Sequence, residues 1–179
     1  MAAKCFPTDK KETLYTRFYR RGFNLFPAYH CSGGKVRFIA GDWKEIHVSI
    51  KLKLRTRNYV GTVFGGSSFG SLDPMYMIML IKTLGPDYVV WDKAATVKFL
   101  RPVSKKVCAR FVISDELIAD IKDKVSKEKE TTLTLPVWFE DKEGKKYVEM
   151  DKKLYVADKN YYKEKRKRKK NLPQRHQNT

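Results

Sequence analysis

Long apolar runs, cysteine, histidine and acidic residues are all scarce in this chain. No run of about 18 apolar residues occurs, and the amino terminus lacks the apolar core of a secretion signal, so neither a membrane span nor export is expected. The three cysteines, Cys5, Cys31 and Cys108, are odd in number and far apart, which favours reduced thiols in a cytoplasmic protein. The three histidines have no metal-ligand spacing, and nucleotide-binding loops and serine-nucleophile turns are absent. We therefore expect neither a metal nor a cofactor.

The charge of the chain is strongly unbalanced. Lys and Arg total 38 against 20 Asp and Glu, a formal net charge of +18, which admits acidic ligands, anionic membranes and nucleic acid as partners. Residues 161–179 hold eight Lys or Arg and one Glu, too much charge for the segment to fold alone. We expect a basic, disordered tail over 158–179, and only this tail is assigned to nucleic acid or to an anionic surface.

A helix is predicted over residues 9–21. Asp9 is its expected N-cap, with Glu12 as the capping-box partner. Leu14, Tyr15 and Phe18 form its apolar face. The arginines on its other face are interpreted as solvated.

Six segments have the pattern of β-strands, namely 35–40, 45–55, 88–100, 106–113, 131–139 and 146–156. Alternation is most regular over 45–55, where it places His47 on the solvent or partner face. Ser114 begins a surface helix, and Gly144 is the turn residue between the last two strands.

An apolar segment over residues 74–84 separates the second and third strands. It predicts a helix that is apolar on every side and therefore surrounded by protein. The order of elements indicates the α+β class, with one antiparallel sheet wrapped around this central helix and an extra amino-terminal helix. Such a sheet leaves open edges, which dimerisation by edge pairing would cover.

A motif overlaps the start of that helix. Asn58 is followed six positions later by Phe64, Gly65 and Gly66, and Asp73 lies nine positions beyond Phe64. These spacings resemble the motif of hotdog-fold acyl-CoA thioesterases of the phenylacetate-pathway type, which have His-Gly-Gly where this chain has Phe-Gly-Gly. Part of the chain is also similar to an uncharacterised hotdog subfamily described as a domain of unknown function.

The resemblance covers residues 30–157 and implies a hotdog domain there, with 1–29 as a helical extension. It also implies an acyl-CoA or related thioester as ligand, and sites at the interface of a homodimer or a dimer of dimers. Phe64 cannot replace the imidazole of the enzymes, which could hold the substrate carbonyl or a water. Two functions on this fold therefore stay open: thioester hydrolysis, and non-catalytic acyl-ligand binding or regulation. The charge of the tail leaves a third open, which is association with nucleic acid.

Thioester hydrolysis needs amide donors for the developing oxyanion and a base near the carbonyl carbon. Gly66, with Gly65 beside it, is the expected donor, because glycine lets a ligand approach the backbone at a helix start. Asp73 is the expected base, since its apolar surroundings would raise the pKa of its carboxyl group. An N-cap role for Asp73 before Pro74 is an open alternative.

The spacing of these two groups bears on oligomeric state. Eight residues separate Gly65 from Asp73, which is about 12 Å along a helix at ~1.5 Å per residue. One thioester carbonyl cannot contact both groups of the same chain. A working site would therefore combine Gly66 of one subunit with Asp73 of its partner.

The remaining candidate site residues each have a structural alternative. Asn58 is a catalytic candidate or a turn residue, and Ser67 and Ser68 contact a ligand or cap the helix. Phe64 and Tyr76 are ligand-binding candidates, with core packing as the alternative for Tyr76. The resemblance places Lys93, Lys98 and Arg101 near the CoA phosphates, with ordinary surface cations as the alternative.

Overall fold

The structure is a computed structural model that describes residues 5–171, with side chains as far as residue 168. These residues form six strands and six α-helices. The helices are α1 (Leu14–Leu25), α2 (Pro27–Ser32), α3 (Gly65–Leu72), α4 (Met75–Leu84), α5 (Asp115–Glu128) and α6 (Lys159–Asn171). The strands are β1 (Lys35–Ile39), β2 (Glu45–Ile50), β3 (Tyr88–Phe99), β4 (Val107–Val112), β5 (Glu130–Glu140) and β6 (Lys146–Asp158).

All six strands belong to one antiparallel sheet in the order β1-β2-β4-β5-β6-β3. The helices α3 and α4 lie between β2 and β3 in the chain, and buried residues of α4 join those of the strands in one apolar core. The longest strands, β3, β5 and β6, pair side by side, and β3 is an edge. The α+β sheet around a central helix is confirmed.

The second predicted strand is shorter than expected. It ends at Ile50, opposite Val107, because its neighbour β4 begins there and supplies no further partner. A short 3-10 turn follows at Leu54–Thr56, and Leu54 is 93% exposed instead of facing the core.

The first helix begins later than predicted, and Asp9 is not its cap. Thr13 is the N-cap, and its hydroxyl accepts a hydrogen bond from the amide of Thr16 at 3.1 Å. Glu12 instead accepts from Arg20 Nε at 2.7 Å and from the Ile39 amide at 3.1 Å. Its carboxylate therefore fastens α1 to β1, which sequence spacing alone did not indicate.

The described segment before α1 covers the outer face of β2, so the predicted exposure of His47 is wrong. The His47 Nε2 atom lies 2.7 Å from Glu45 Oε1, and the His47 ring contacts the rings of Phe6 and Phe38, with centroids 5.2 and 5.0 Å away. Every residue of β2 is buried. The alternation in the sequence indicates which side chains of β2 share a face. It cannot show that a segment distant in the sequence covers the second face.

The same segment forms a disulfide, which corrects the prediction of reduced thiols throughout. Cys5 and Cys108 are joined across 103 positions, with their Cα atoms 6.0 Å apart. Cys31 is free and exposed. The pairing follows from the amino-terminal segment crossing β4, and it removes the support that unpaired cysteines gave to a cytoplasmic location.

The central helix is divided into α3 and α4 at Asp73 and Pro74. Both residues keep right-handed helical backbone angles, with φ −49° and −81°, so the axis is interrupted and not reversed. The break follows from proline, which cannot donate to the preceding turn. Five of the ten residues of α4 are buried, but Ile81 is 43% exposed, so one side of this helix is not covered by the described chain and the expectation of a helix surrounded by protein holds for one face only.

Residues 159–171 are helical, which differs from the disordered tail predicted for 158–179. The Asp158 carboxylate accepts from the amides of Asn160 and Tyr161, both at 2.9 Å, and so caps α6. Lys165 forms an ion pair with Glu130 of β5. These contacts stabilise a helix in which repulsion between the many positive charges would otherwise oppose folding. Residues 172–179 lie outside the described chain, and the domain boundaries stay a prediction.

Between residues 5 and 171 no helix is long and apolar enough to cross a membrane. The same part of the chain contains no group of three or more His, Cys, Asp or Glu placed to hold a metal ion.

Candidate functional site

A buried lysine between two carboxylates lies at the break in the central helix. The Lys152 side chain is 2% exposed, its Nζ contacts Asp73, and it lies 3.1 Å from Asp92 Oδ2. The two carboxylate side chains are 37% and 28% exposed. A buried ammonium surrounded by apolar groups is costly unless paired, and here it is paired twice.

Local sequence explains why these three side chains meet. In β6, Met150, Lys152 and Leu154 alternate onto the inner face and are all buried. In β3 the register with β6 shifts between Asp92 and Ala94. Bulges of this kind redirect a side chain, and this one accompanies the turn of Asp92 toward Lys152.

The pKa of Asp92 in this cluster is raised from its ordinary value. Burial raises the pKa of Asp92, the hydrogen bond and charge of Lys152 act against that rise, and the charge of Asp73 adds to it. Carboxylates held close together resist simultaneous ionisation. The Asp92 carboxyl group therefore holds a proton more readily than an ordinary aspartate, and Lys152 contacts both carboxylates of the cluster.

The glycine pair lies at the other end of α3, next to a cavity of about 400 Å³. Gly65, Asn58, Ser68 and Arg101 line this cavity together with the Phe99 ring. The structure thus brings four predicted site residues to one cavity. Gly66 is not among its lining residues.

The amide groups at the start of α3 have no partner from the helix itself. No side chain caps the helix at Phe64, and the Ser68 amide donates to the Phe64 carbonyl at 3.1 Å. The amides of Gly65, Gly66 and Ser67 precede that bond and point out of the helix end, where the helix dipole is positive. This arrangement can stabilise a negatively charged oxygen.

Two aromatic rings lie against the glycine pair, so a side chain at either position would require a ring to move. A Cβ on Gly66 would lie 2.4 Å from Cε1 of Phe64, and one on Gly65 would lie 3.0 Å from Cζ of Phe99. Phe64 is 57% exposed, so its ring is partly in solvent while it covers Gly66. The open space expected beside the glycines is thus occupied by rings of this chain.

Two other candidates have structural roles. Both ends of the Asn58 amide contact Thr62, whose Oγ1 and backbone N lie 2.9 Å away, so Asn58 holds a turn as its alternative reading had it. The Tyr76 hydroxyl donates to the Pro136 carbonyl at 2.8 Å, and burial raises the pKa of Tyr76 to about 12. Tyr76 is therefore a core residue, as its structural alternative predicted.

The two candidate serines lie within α3, and the three candidate cations lie at three different cavities. Ser67 and Ser68 are buried within α3, and the Ser67 carbonyl accepts a hydrogen bond from the Ser71 hydroxyl at 2.6 Å. Neither serine caps α3, because the N-cap is Phe64 and no side-chain hydrogen bond caps the helix. Lys93 lies over the Tyr155 ring, 5.0 Å from its centroid. Lys93, Lys98 and Arg101 line three separate cavities, so they do not form one phosphate site within this chain.

Asp73 is not an N-cap, which corrects the alternative reading of this residue. The N-cap of α4 is Pro74, with no side-chain hydrogen bond, and Asp73 ends α3. Sequence reasoning missed Lys152 and Asp92. A signal for Lys152 was present, since it occupies an inward position of an alternating strand, between Met150 and Leu154.

Comparisons with known proteins agree with this architecture. The solved structures that it resembles include a probable thioesterase of unknown function from Pseudomonas aeruginosa, at 15% identity and TM-score 0.71, covering 82% of this chain and 98% of that one. A thioesterase from Haemophilus influenzae gives 18% identity and TM-score 0.59, covering 84% and 96%. Thioesterase superfamily member 2 from Mus musculus gives 13% identity and TM-score 0.57, covering 80% and 98%.

At these identities the structural likeness shows the fold, and the predicted hotdog fold is confirmed. A search of curated proteins gave no match. The family model of a domain of unknown function, DUF4442, matches residues 20–156. The chain therefore belongs to the DUF4442 family.

Proposed function

We propose that this protein hydrolyses acyl-CoA or related thioesters at a site shared by two copies of the chain. The observation that supports this most is the division of the machinery between the ends of α3. Unpaired helix-start amides lie at Gly65 and Gly66, and a partly exposed carboxylate with a buried lysine partner lies at Asp73. The resembling enzymes have a glycine pair and an aspartate at these spacings.

Two copies are needed because the ends of α3 are too far apart. Eight residues at ~1.5 Å per residue put about 12 Å between Gly65 and Asp73, which exceeds the reach of one carbonyl group. The β3 edge supplies a way to join two chains. Among the described strands β3 pairs only with β6, which leaves its second edge open from Tyr88 to Phe99.

In the proposed reaction a water molecule attacks the thioester carbonyl carbon. Its proton passes to the carboxylate of Asp73 while amides at the Gly66 end of the partner bind the oxyanion. The tetrahedral intermediate then collapses and the C–S bond breaks, and Asp73 returns its proton to the departing thiolate sulfur, so the products are the carboxylic acid and the free thiol. Lys152 holds Asp73 in position, and Asp92 shares the charge of the lysine.

The test is release of free thiol from a panel of acyl-CoA substrates by wild type and Asp73→Asn. We expect at least a hundredfold loss in kcat, since general-base catalysis contributes about that much. Asp151→Asn is the matched control, because Asp151 precedes Lys152 and is exposed. Equal activity of wild type and Asp73→Asn would remove Asp73 from the mechanism.

Acyl-ligand binding without turnover is the second candidate function, and Phe64 favours it. Its ring covers Gly66, at the position where the resembling enzymes have an imidazole. Calorimetry with a non-hydrolysable acyl-CoA analogue separates the two functions. Heat of binding with no thiol release from any substrate would support a binding or regulatory protein, and no heat would contradict both.

A further inference from the structure

The first helix presents large apolar side chains to solvent. Leu14, Phe18 and Leu25 of α1 are 82%, 73% and 77% exposed, and Phe26 just after it is 60% exposed. Positions 14, 18 and 25 fall within about 40° of one another around a helix, so they form one stripe. Tyr19 and Phe23 on the other side of the helix pack against the core. This stripe, which we call the α1 stripe, is therefore in excess of what the fold needs.

The surroundings of the stripe carry charge of one sign. No Asp or Glu occurs from residue 13 to residue 41, a span that holds Arg17, Arg20, Arg21, Lys35 and Arg37. Arg17 and Arg21 are exposed beside the stripe, with Arg17 Nε 4.0 Å from Glu12 Oε2, whereas Arg20 turns inward to the same carboxylate. The nearest acids in the chain are already engaged: Glu12 binds Arg20, and Asp42 binds Lys10 at 2.8 Å.

A second basic, apolar segment adjoins this region. Arg55 contacts the ring of His30 in α2 at 2.8 Å and its carbonyl at 3.3 Å, which brings the 51–57 segment against α2. That segment contains Lys51, Lys53, Arg55 and Arg57 with no acid, and its Leu54 is 93% exposed. The same combination of exposed leucine and cations thus recurs in a segment that contacts α2, the helix that follows α1.

We propose that the α1 stripe and the adjoining 51–57 segment form a docking surface for an anionic lipid membrane. An apolar helix face bordered by arginines is the arrangement that lies in the membrane interface, with its Leu and Phe side chains among the acyl chains. The absence of acids over 13–41 favours a lipid surface over an acidic groove in a protein, because arginines distributed along a helix match a diffuse negative charge. This inference does not depend on the proposed function.

The test is co-sedimentation of the full chain with vesicles of phosphatidylcholine alone and of phosphatidylcholine mixed with phosphatidylserine. Wild type should bind the mixed vesicles, and Phe18→Ser combined with Leu25→Ser should weaken binding by roughly a hundredfold. Val112→Ser, a 47% exposed residue of β4, is the control for loss of an exposed apolar side chain and should bind as wild type.

A charge pair of variants keeps the test valid if the apolar variant unfolds. Arg17→Gln with Arg21→Gln should weaken binding by about fivefold for each charge, and added salt should weaken wild type in the same way. Lys124→Gln with Lys127→Gln removes two exposed charges from α5 and should bind as wild type.

Three results would overturn the inference. These are no binding of wild type to the mixed vesicles, equal binding of wild type and the α1 variants, or a fall in oligomer mass for Phe18→Ser by sedimentation velocity. The last would identify the stripe as a contact between copies of this chain.

Discussion

The two ends of α3 differ in almost every physical respect. The Gly65 end has unpaired amides, two aromatic rings and no ionised side chain from its own helix. The Asp73 end has two carboxylates around a buried lysine. The glycine end can bind negative charge but cannot accept a proton, and the aspartate end has the opposite abilities. The comparison teaches that neither end is a complete site, which is why we propose that two chains share it.

The largest expected effect is on stability and comes from removing the positive charge of Lys152. Lys152→Met should destabilise the fold by roughly 3 kcal/mol, the lower limit for breaking a buried pair, because the carboxylates left behind keep access to water. Urea unfolding measures this free energy. Lys165→Met is the matched control, since Lys165 pairs with Glu130 in a half-exposed setting and should cost less than about 1 kcal/mol. Equal losses would mean that burial of Lys152 has no energetic role.

The next effect sharpens the role of the glycine end. Gly66→Ala places a methyl group against the Phe64 ring and beside the proposed donor, so thiol release should fall by roughly a hundredfold. Stability should change by less than about 1 kcal/mol, because alanine favours helix and the half-exposed ring can turn away. Gly22→Ala, with no atom within 4 Å of its added Cβ, is the control and should keep full activity. A fully active Gly66→Ala would argue against this donor.

A smaller effect contrasts Asp92 with Glu45. Burial acts to raise the pKa of Glu45, but hydrogen bonds from His47, Arg110 and Thr8 outweigh it, and the pKa is lowered. Stability from Glu45 is therefore present above the ordinary glutamate pKa and lost as the pH falls through the lowered value. For Asp92, whose pKa is raised, the stability is present below the ordinary aspartate pKa and lost as the pH rises through the raised value.

Unfolding free energies of Glu45→Gln and Asp92→Asn, each subtracted from wild type across acidic to neutral pH, should therefore show opposite slopes. The Glu45 difference should grow with pH and the Asp92 difference should shrink. Parallel slopes would show that the two carboxylates do not differ in this way.

Much of the fold was readable from local patterns. The antiparallel strands, the central apolar helix, the Ser114 cap of α5 and the Gly144 turn all follow from periodicity and turn chemistry, and the structure confirms them. The predictions were wrong where a segment distant in the sequence packs against a strand. His47 became buried under Phe6, and Cys5 reached Cys108 across 103 positions.

The candidate site was only partly readable. The glycine pair and Asp73 were found from spacing, but their roles stay proposals. Asn58 and Tyr76 were singled out by type, whereas their hydrogen bonds to Thr62 and Pro136 give them structural roles. Lys152 was overlooked because its partners Asp73 and Asp92 are 79 and 60 positions away in the chain.

By itself the sequence determined which residues share a face, the places of the six strands and of α1, α4 and α5, and that the chain is strongly basic, whereas it did not indicate α2 or α6. These are properties of neighbouring residues, because backbone propensity and side-chain periodicity act over a few positions. Only the tertiary structure decided that Lys152 is held between two carboxylates, that aromatic rings cover the glycine pair, and that the apolar stripe of α1 faces outward. The Phe64 ring lies only two positions from Gly66, but the Phe99 ring, the Lys152 ion pairs and the packing of α1 depend on which distant segments meet.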